Sequence, residues 1–183
     1  MPGAGKSTVT GLAARLLPKA AQVKGDDMTL MIQSGSVGWM EKPVEEALRQ
    51  DQLCNRNMCS LANNFIDFGF AVLMDTVLAD RAELDFFLAL LSPRPVRLVV
   101  LAPGIDVCKH RNMTRPPVAR FDFDGYERLE AEMTREFGEI GWWFDTSALS
   151  PDETAAELVV QVCDRAAPLQ PGWHAWLRRL HGV

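Results

Sequence analysis

Apolar and polar positions along the chain keep switching between a helical and a strand-like rhythm. Apolar residues recur at helical spacing over residues 7 to about 17, and Pro18 stops the run, which predicts a first helix. Residues 20–25 form a short strand candidate ending at Asp26-Asp27, and 28–33 read as one or two helical turns with one of those aspartates as N-cap. A Gly-containing loop over 34–42 leads into a long helix from 43 to about 67, with apolar positions at Val44, Leu48, Leu53, Met58, Leu61, Phe65 and Ile66. Residues 70–75 and 95–102 are near-continuous apolar runs of strand length, the pattern of parallel strands buried on both faces. Helices are expected over 80–91, 105 to about 113, 124–137 and 151–166, with a loop over 114–124 and a last strand over 139–145. Such alternation predicts a three-layer α/β fold: a parallel sheet, right-handed crossovers, and helices on both faces. Ligands in such folds bind at the carboxyl ends of the strands.

The first helix is preceded by Met1-Pro2-Gly3-Ala4-Gly5-Lys6-Ser7-Thr8, the latter part of a G-x-x-x-x-G-K-[ST] phosphate-binding loop. Small residues at Gly3, Ala4 and Gly5 let backbone N–H groups converge on phosphate oxygens. Lys6 adds a compact positive charge, and the hydroxyl of Ser7, followed by Thr8, suits Mg²⁺. The motif's first glycine would fall immediately before Met1, and the strand that normally precedes the loop has no residues here to form it. The sequence therefore reads as a domain lacking its first, central strand, with a native start expected some 5 to 15 residues upstream.

Further polar groups fall where the predicted strands end. Asp26 or Asp27 can orient an attacking hydroxyl or accept its proton, and Asp75 closes an apolar strand as a Mg²⁺-binding carboxylate does. Lys109, His110, Arg111, Arg115 and Arg120 put five basic groups within twelve residues, a lid over about 109–123 able to set a guanidinium on a transferring phosphoryl group. Arg111 and Arg115 share a face if the helix continues through both. Ser147 follows the last strand in Asp145-Thr146-Ser147, close to where an adenine would lie, while Trp142 and Trp143 read as packing residues.

Composition narrows the partners. The chain has 183 residues, 48% hydrophobic and 23% charged, with a formal charge of -5, which gives no general attraction to nucleic acid or an anionic membrane. No apolar run reaches the roughly 20 residues of a membrane span, so a cytoplasmic protein is expected. The four cysteines lack metal-ligand or C-x-x-C spacing and read as reduced thiols.

Taken together, P-G-A-G-K-S-T (2–8), V-K-G-D-D-M (23–28), V-L-M-D (72–75), R-N-M-T-R (111–115) and W-F-D-T-S (143–147) resemble the small P-loop kinases of the nucleoside-monophosphate-kinase-like group. The likeness is greatest to zeta-toxin-like and chloramphenicol-phosphotransferase-like ATP-binding proteins and to the kinase domain of polynucleotide 5′-kinases. The resemblance implies ATP and Mg²⁺ as cofactors, with Gly3 to Thr8, Arg120 and Ser147 around the nucleotide. It further implies Ser7 and Asp75 at the metal, with Lys6, Asp26 or Asp27, Arg111 and Arg115 in catalysis. The activity expected is transfer of the γ-phosphate to a hydroxyl of a small molecule, by a monomer or homodimer, without membrane or nucleic-acid partners. A polynucleotide 5′-kinase or nucleotide-sugar kinase is the enzymatic alternative; Thr29 stands where polynucleotide kinases often carry arginine. An ATP-binding module without transfer activity, or an inactive fragment, is the alternative of another class. The kinase domain is expected to span 1–170, followed by a tail over 171–183 whose Trp173, Trp176, Leu177 and Leu180 have the spacing of a short packed helix.

Overall fold

The computed structural model describes residues 1–39, 41–78, 80–117 and 120–169; the tail expected over 171–183 lies outside the described residues. Its contacts divide the chain into two compact units, one of residues 6–77 and one combining Met1–Gly5 with the residues from Leu78 onward. The chain is a mixed α/β protein with short parallel strands and seven helices among the described residues.

In the first unit, α1 (Lys6–Leu16) leads into β1 (Ala20–Lys24), α2 (Gly25–Leu30), α3 (Val44–Asp67) and β2 (Ala71–Asp75). Strands β1 and β2 pair in parallel, from Ala20 opposite Ala71 to Lys24 opposite Asp75. The long α3 supplies the crossover that parallel strands require. Gln22 fastens α1 to the pair: its Nε2 donates to the Ser7 carbonyl at 2.8 Å and the Thr10 hydroxyl at 2.7 Å. Those bonds fix the first turns of α1 beside β1.

The inward face of α3 differs from the apolar set read from sequence. Val44, Leu48, Leu53 and Phe65 are exposed, whereas Ala47, Cys54, Asn55, Met58, Cys59 and Ala62 are buried. Most of that inward row is small, which lets α3 approach α2 and the strands closely. Counting only large apolar residues missed it, because close approach selects side-chain size as much as hydrophobicity.

The second unit contains α4 (Arg81–Leu91), β3 (Val99–Leu101), α5 (Ile105–Met113), α6 (Tyr126–Phe137), β4 (Trp142–Phe144) and α7 (Pro151–Arg165). Strands β3 and β4 are parallel, Val99 opposite Trp142 through Leu101 opposite Phe144. Leu84, Leu88, Phe137 and Ala155 lie among its most buried side chains, and Trp142 stacks on Phe144 with ring centroids 4.3 Å apart. Side chains cap two helices: Asp80 accepts from the Glu83 N–H at 2.9 Å on α4, and Ser150 and Glu153 form a reciprocal capping box on α7. Strand β3 is much shorter than the apolar run 95–102. Arg97 turns its guanidinium to the Cys163 and Ala166 carbonyls at the end of α7, where a cation meets the negative pole of the helix.

Among the described residues the four strands thus pair two by two. This corrects the expectation of strands buried on both faces: Ala71 is exposed and Val72, Leu73 and Met74 are only half-buried. Burial of a strand's two faces depends on what packs above and below the sheet, and along β2 that cover is fuller at Asp75 than at Ala71. No helix among the described residues is long and apolar enough to cross a membrane.

The cysteines divide by accessibility. Cys54, Cys59 and Cys108 are buried and Cys163 on α7 is exposed, and burial pushes the Cys59 thiol up to about 11. Since the thiolate is the reacting species, a chromogenic disulfide reagent at pH 8 is expected to modify one thiol per folded chain. Cys163→Ser should reduce that to none until denaturant is added; rapid modification of two or more thiols in the unaltered chain would contradict the packing.

Candidate functional site

The glycines at the start of the chain hold conformations that side chains disfavour. Gly3 has φ +79° and Gly5 φ +95°, and the Ala4 N–H donates to the Met1 carbonyl at 3.3 Å, closing a turn. A β-carbon on Gly3 would stand 2.2 Å from the Cys108 carbonyl oxygen of α5, so the loop lies directly on that helix. Helix α1 starts at Lys6, immediately after Gly5. Its first turn contains Lys6, Ser7 and Thr8, with Ser7 and Thr8 exposed. The first N–H groups of a helix have no partners within it, which gives this turn the polarity for an anion.

Within the unit of residues 6–77, the chain brings three of the sequence-predicted groups to one end of β1 and β2. Asp75 is the last residue of β2, buried to 6% exposure, opposite Lys24, the last residue of β1. Asp26 and Asp27 follow at once, and the Gln22 bonds hold the start of α1 alongside. Asp26 and Asp27 do not cap α2, as the sequence had suggested. The N-cap is Lys24, without a side-chain cap bond, and both aspartates lie in the first turn. There their charge faces the positive helix end, and Asp27 pairs with Lys24 at 3.1 Å while Asp26 is exposed.

In the other unit the basic segment is less uniform than its composition. Helix α5 ends at Met113, where the Thr114 N–H donates to the His110 carbonyl and the Arg115 N–H to the Asn112 carbonyl. Arg115 is therefore beyond the helix and does not continue the Arg111 face. Arg111 reaches the Thr146 carbonyl at 3.4 Å, which brings it beside Ser147, and Arg120 Nε donates to the Arg115 carbonyl at 3.0 Å. Lys109 is engaged with Glu127 at 2.5 Å; that hydrogen bond raises the lysine's pKa and lowers the glutamate's. Asp145 accepts from the Ser147 N–H at 2.9 Å, and its hydrogen bonds with Ser147 hold its carboxyl below the usual range. Ser147 itself is exposed, and Trp143 donates its indole N–H to the Phe137 carbonyl at 2.9 Å, a packing role.

Three positioning amides escaped the sequence reading. Beside Gln22, buried Asn112 donates to the Phe121 carbonyl at 2.7 Å and accepts from the Phe121 N–H at 3.1 Å, clamping the far end of the arginine loop. Gln50 does likewise for the 34–42 loop, donating to the Gly35 carbonyl at 2.7 Å and accepting from the Val37 N–H at 2.8 Å. Asn112 had one readable signal: it lies four residues after buried Cys108, on the same helix face. No protein-family model matches the chain, and no curated protein matches it.

Proposed function

We propose that the protein is an ATP-dependent phosphotransferase of the three-layer P-loop type that moves the γ-phosphate to a hydroxyl of a small molecule. The observation that carries this reading is Gly3-Ala4-Gly5-Lys6-Ser7-Thr8, with left-handed glycines running straight into the first turn of a helix. In that role the helix start and Lys6 bind the phosphates. Ser7 and buried Asp75 supply the oxygen ligands that Mg²⁺ prefers, and their chemistry fits the ion. Asp26, exposed on the first turn of α2, orients the acceptor hydroxyl; Asp27, paired with Lys24, is the second candidate. The resemblance adds to this reading a phosphate-gripping role for Arg111, Arg115 and Arg120 and a place beside the base for Ser147. When bound, Mg²⁺ would neutralise phosphate charge during transfer.

Titration calorimetry with ATP·Mg²⁺ tests the binding half of the proposal. ATP turnover measured against a panel of hydroxyl compounds tests the other half. Saturable binding with acceptor-dependent turnover is expected. Binding without transfer to any acceptor would favour a nucleotide-binding module, and absence of binding would remove the reading altogether.

A further inference from the structure

The segment after Asp26 and Asp27 closes a small recess of about 30 Å³, entirely within the unit of residues 6–77. Ile32, Val37, Trp39 and Ala47 give it apolar walls, and Asp51 of α3 is the one carboxylate among its lining residues. Such a volume holds a single small polar group rather than a whole substrate. The recess is built from both sides: Gln50 fixes the loop backbone at Gly35 and Val37, and α2 packs against α3 with the Thr29 hydroxyl 3.7 Å from the Cys54 sulfur.

Asp51 is poorly compensated in this setting. Its carboxylate accepts one neutral hydrogen bond, from the Asn55 amide at 3.1 Å, and no lysine or arginine among the described residues pairs with it. The nearest cation in sequence, Arg49, is paired with Glu46 at 3.5 Å. Burial raises the pKa of Asp51 more than the Asn55 bond lowers it. A carboxylate set among apolar walls favours a ligand that brings its own positive charge, and an aromatic wall favours the same charge.

We infer that this recess is a specificity subsite for a primary ammonium group, received by the Asp51 carboxylate beside Trp39, so that the acceptor is an amino alcohol. The inference rests on the phosphotransferase reading for the word acceptor, but the subsite is tested without nucleotide. Ligand-observed NMR on the full chain would compare ethanolamine, 3-aminopropan-1-ol and glucosamine with ethylene glycol, propane-1,3-diol and glucose. Each amine is expected to bind at least about tenfold more tightly than its neutral counterpart, the scale of one charge-assisted hydrogen bond. Asp51→Asn should abolish that preference, and Glu45→Gln, on the exposed first turn of α3, should retain it. Equal binding of amine and neutral partner by the unaltered chain overturns the inference without recourse to any variant. So does failure of all three amines to bind, or a preference that survives Asp51→Asn. Failed phosphate transfer with intact amine selection would instead count against the proposed activity alone.

Discussion

Lys6→Ala is expected to lower the rate of phosphate transfer by about 100- to 1000-fold while leaving the fold unchanged. Lys6 opens α1, whose first N–H groups find no partner within the helix itself. What the helix lacks is a full positive charge able to stay with a phosphate as charge builds on it. Because phosphoryl transfer depends on positioning and electrostatics, removal of that charge costs about 3–4 kcal/mol of transition-state stabilisation at the expected fold-change. Lys6→Arg should recover little, since a planar fork cannot replace a compact ammonium inside a glycine loop. Circular dichroism and thermal melting would report the fold, and single-turnover transfer the chemistry. Transfer undiminished by Lys6→Ala would refute the assignment of the loop.

The largest stability effect is expected at Gly3. Alanine there must adopt φ +79° and also place a β-carbon 2.2 Å from the Cys108 carbonyl oxygen. The first demand alone costs about 1–2 kcal/mol. The second cannot be met by rotating a side chain, because the opposing atom is backbone, so the loop must lift from α5. A total near 2–4 kcal/mol is expected, a large share of the 5–15 kcal/mol typical of a folded domain. Gly35→Ala is the control: its φ is +74°, yet nothing lies within 4 Å of the added carbon. Denaturant titration should show Gly3→Ala clearly the more destabilising of the two. Equal losses would mean that the loop does not rest on α5.

Most helices were legible in the sequence to within a residue or two where punctuation marks their ends, whereas α2, expected over 28–33, lies at Gly25–Leu30 because Asp26 and Asp27 enter its first turn instead of capping it. Pro18 follows the first, Asp80 caps the fourth, and Ser150 with Glu153 opens the last. Strands were legible as apolar runs, but their lengths were not: β3 keeps three residues of the run, since Arg97 is drawn to the end of a helix far along the chain. Of the candidate site, the turn at Gly3 and Gly5 and the place of Asp75 at the end of β2 were readable because each is tied to a local sequence pattern. Arg111 and Arg115 would share a face only if α5 ran through both, and spacing says nothing about where a helix will stop; α5 stops at Met113. Gln22, Gln50 and Asn112 could not be assigned their roles, because an amide's function depends on which distant backbone group it meets. Asp51 stayed silent for the same reason: only the folding of the 34–42 loop beside α3 turns an ordinary helix carboxylate into the floor of a recess.

The pairing of the strands two by two bears on how the protein behaves in concentrated solution. Among the described residues each strand has one strand neighbour, which leaves a row of N–H and C=O groups not taken up by a second strand. In β2 that row belongs to Ala71-Val72-Leu73-Met74, which carries no charge before Asp75 and no proline to discourage a visiting strand. Self-association through such an edge grows with concentration even when every folded copy is sound. Val72→Lys, at a half-buried position of β2 outside both the glycine loop and the Asp51 recess, is therefore expected to lower concentration-dependent self-association, read by light scattering over a concentration series.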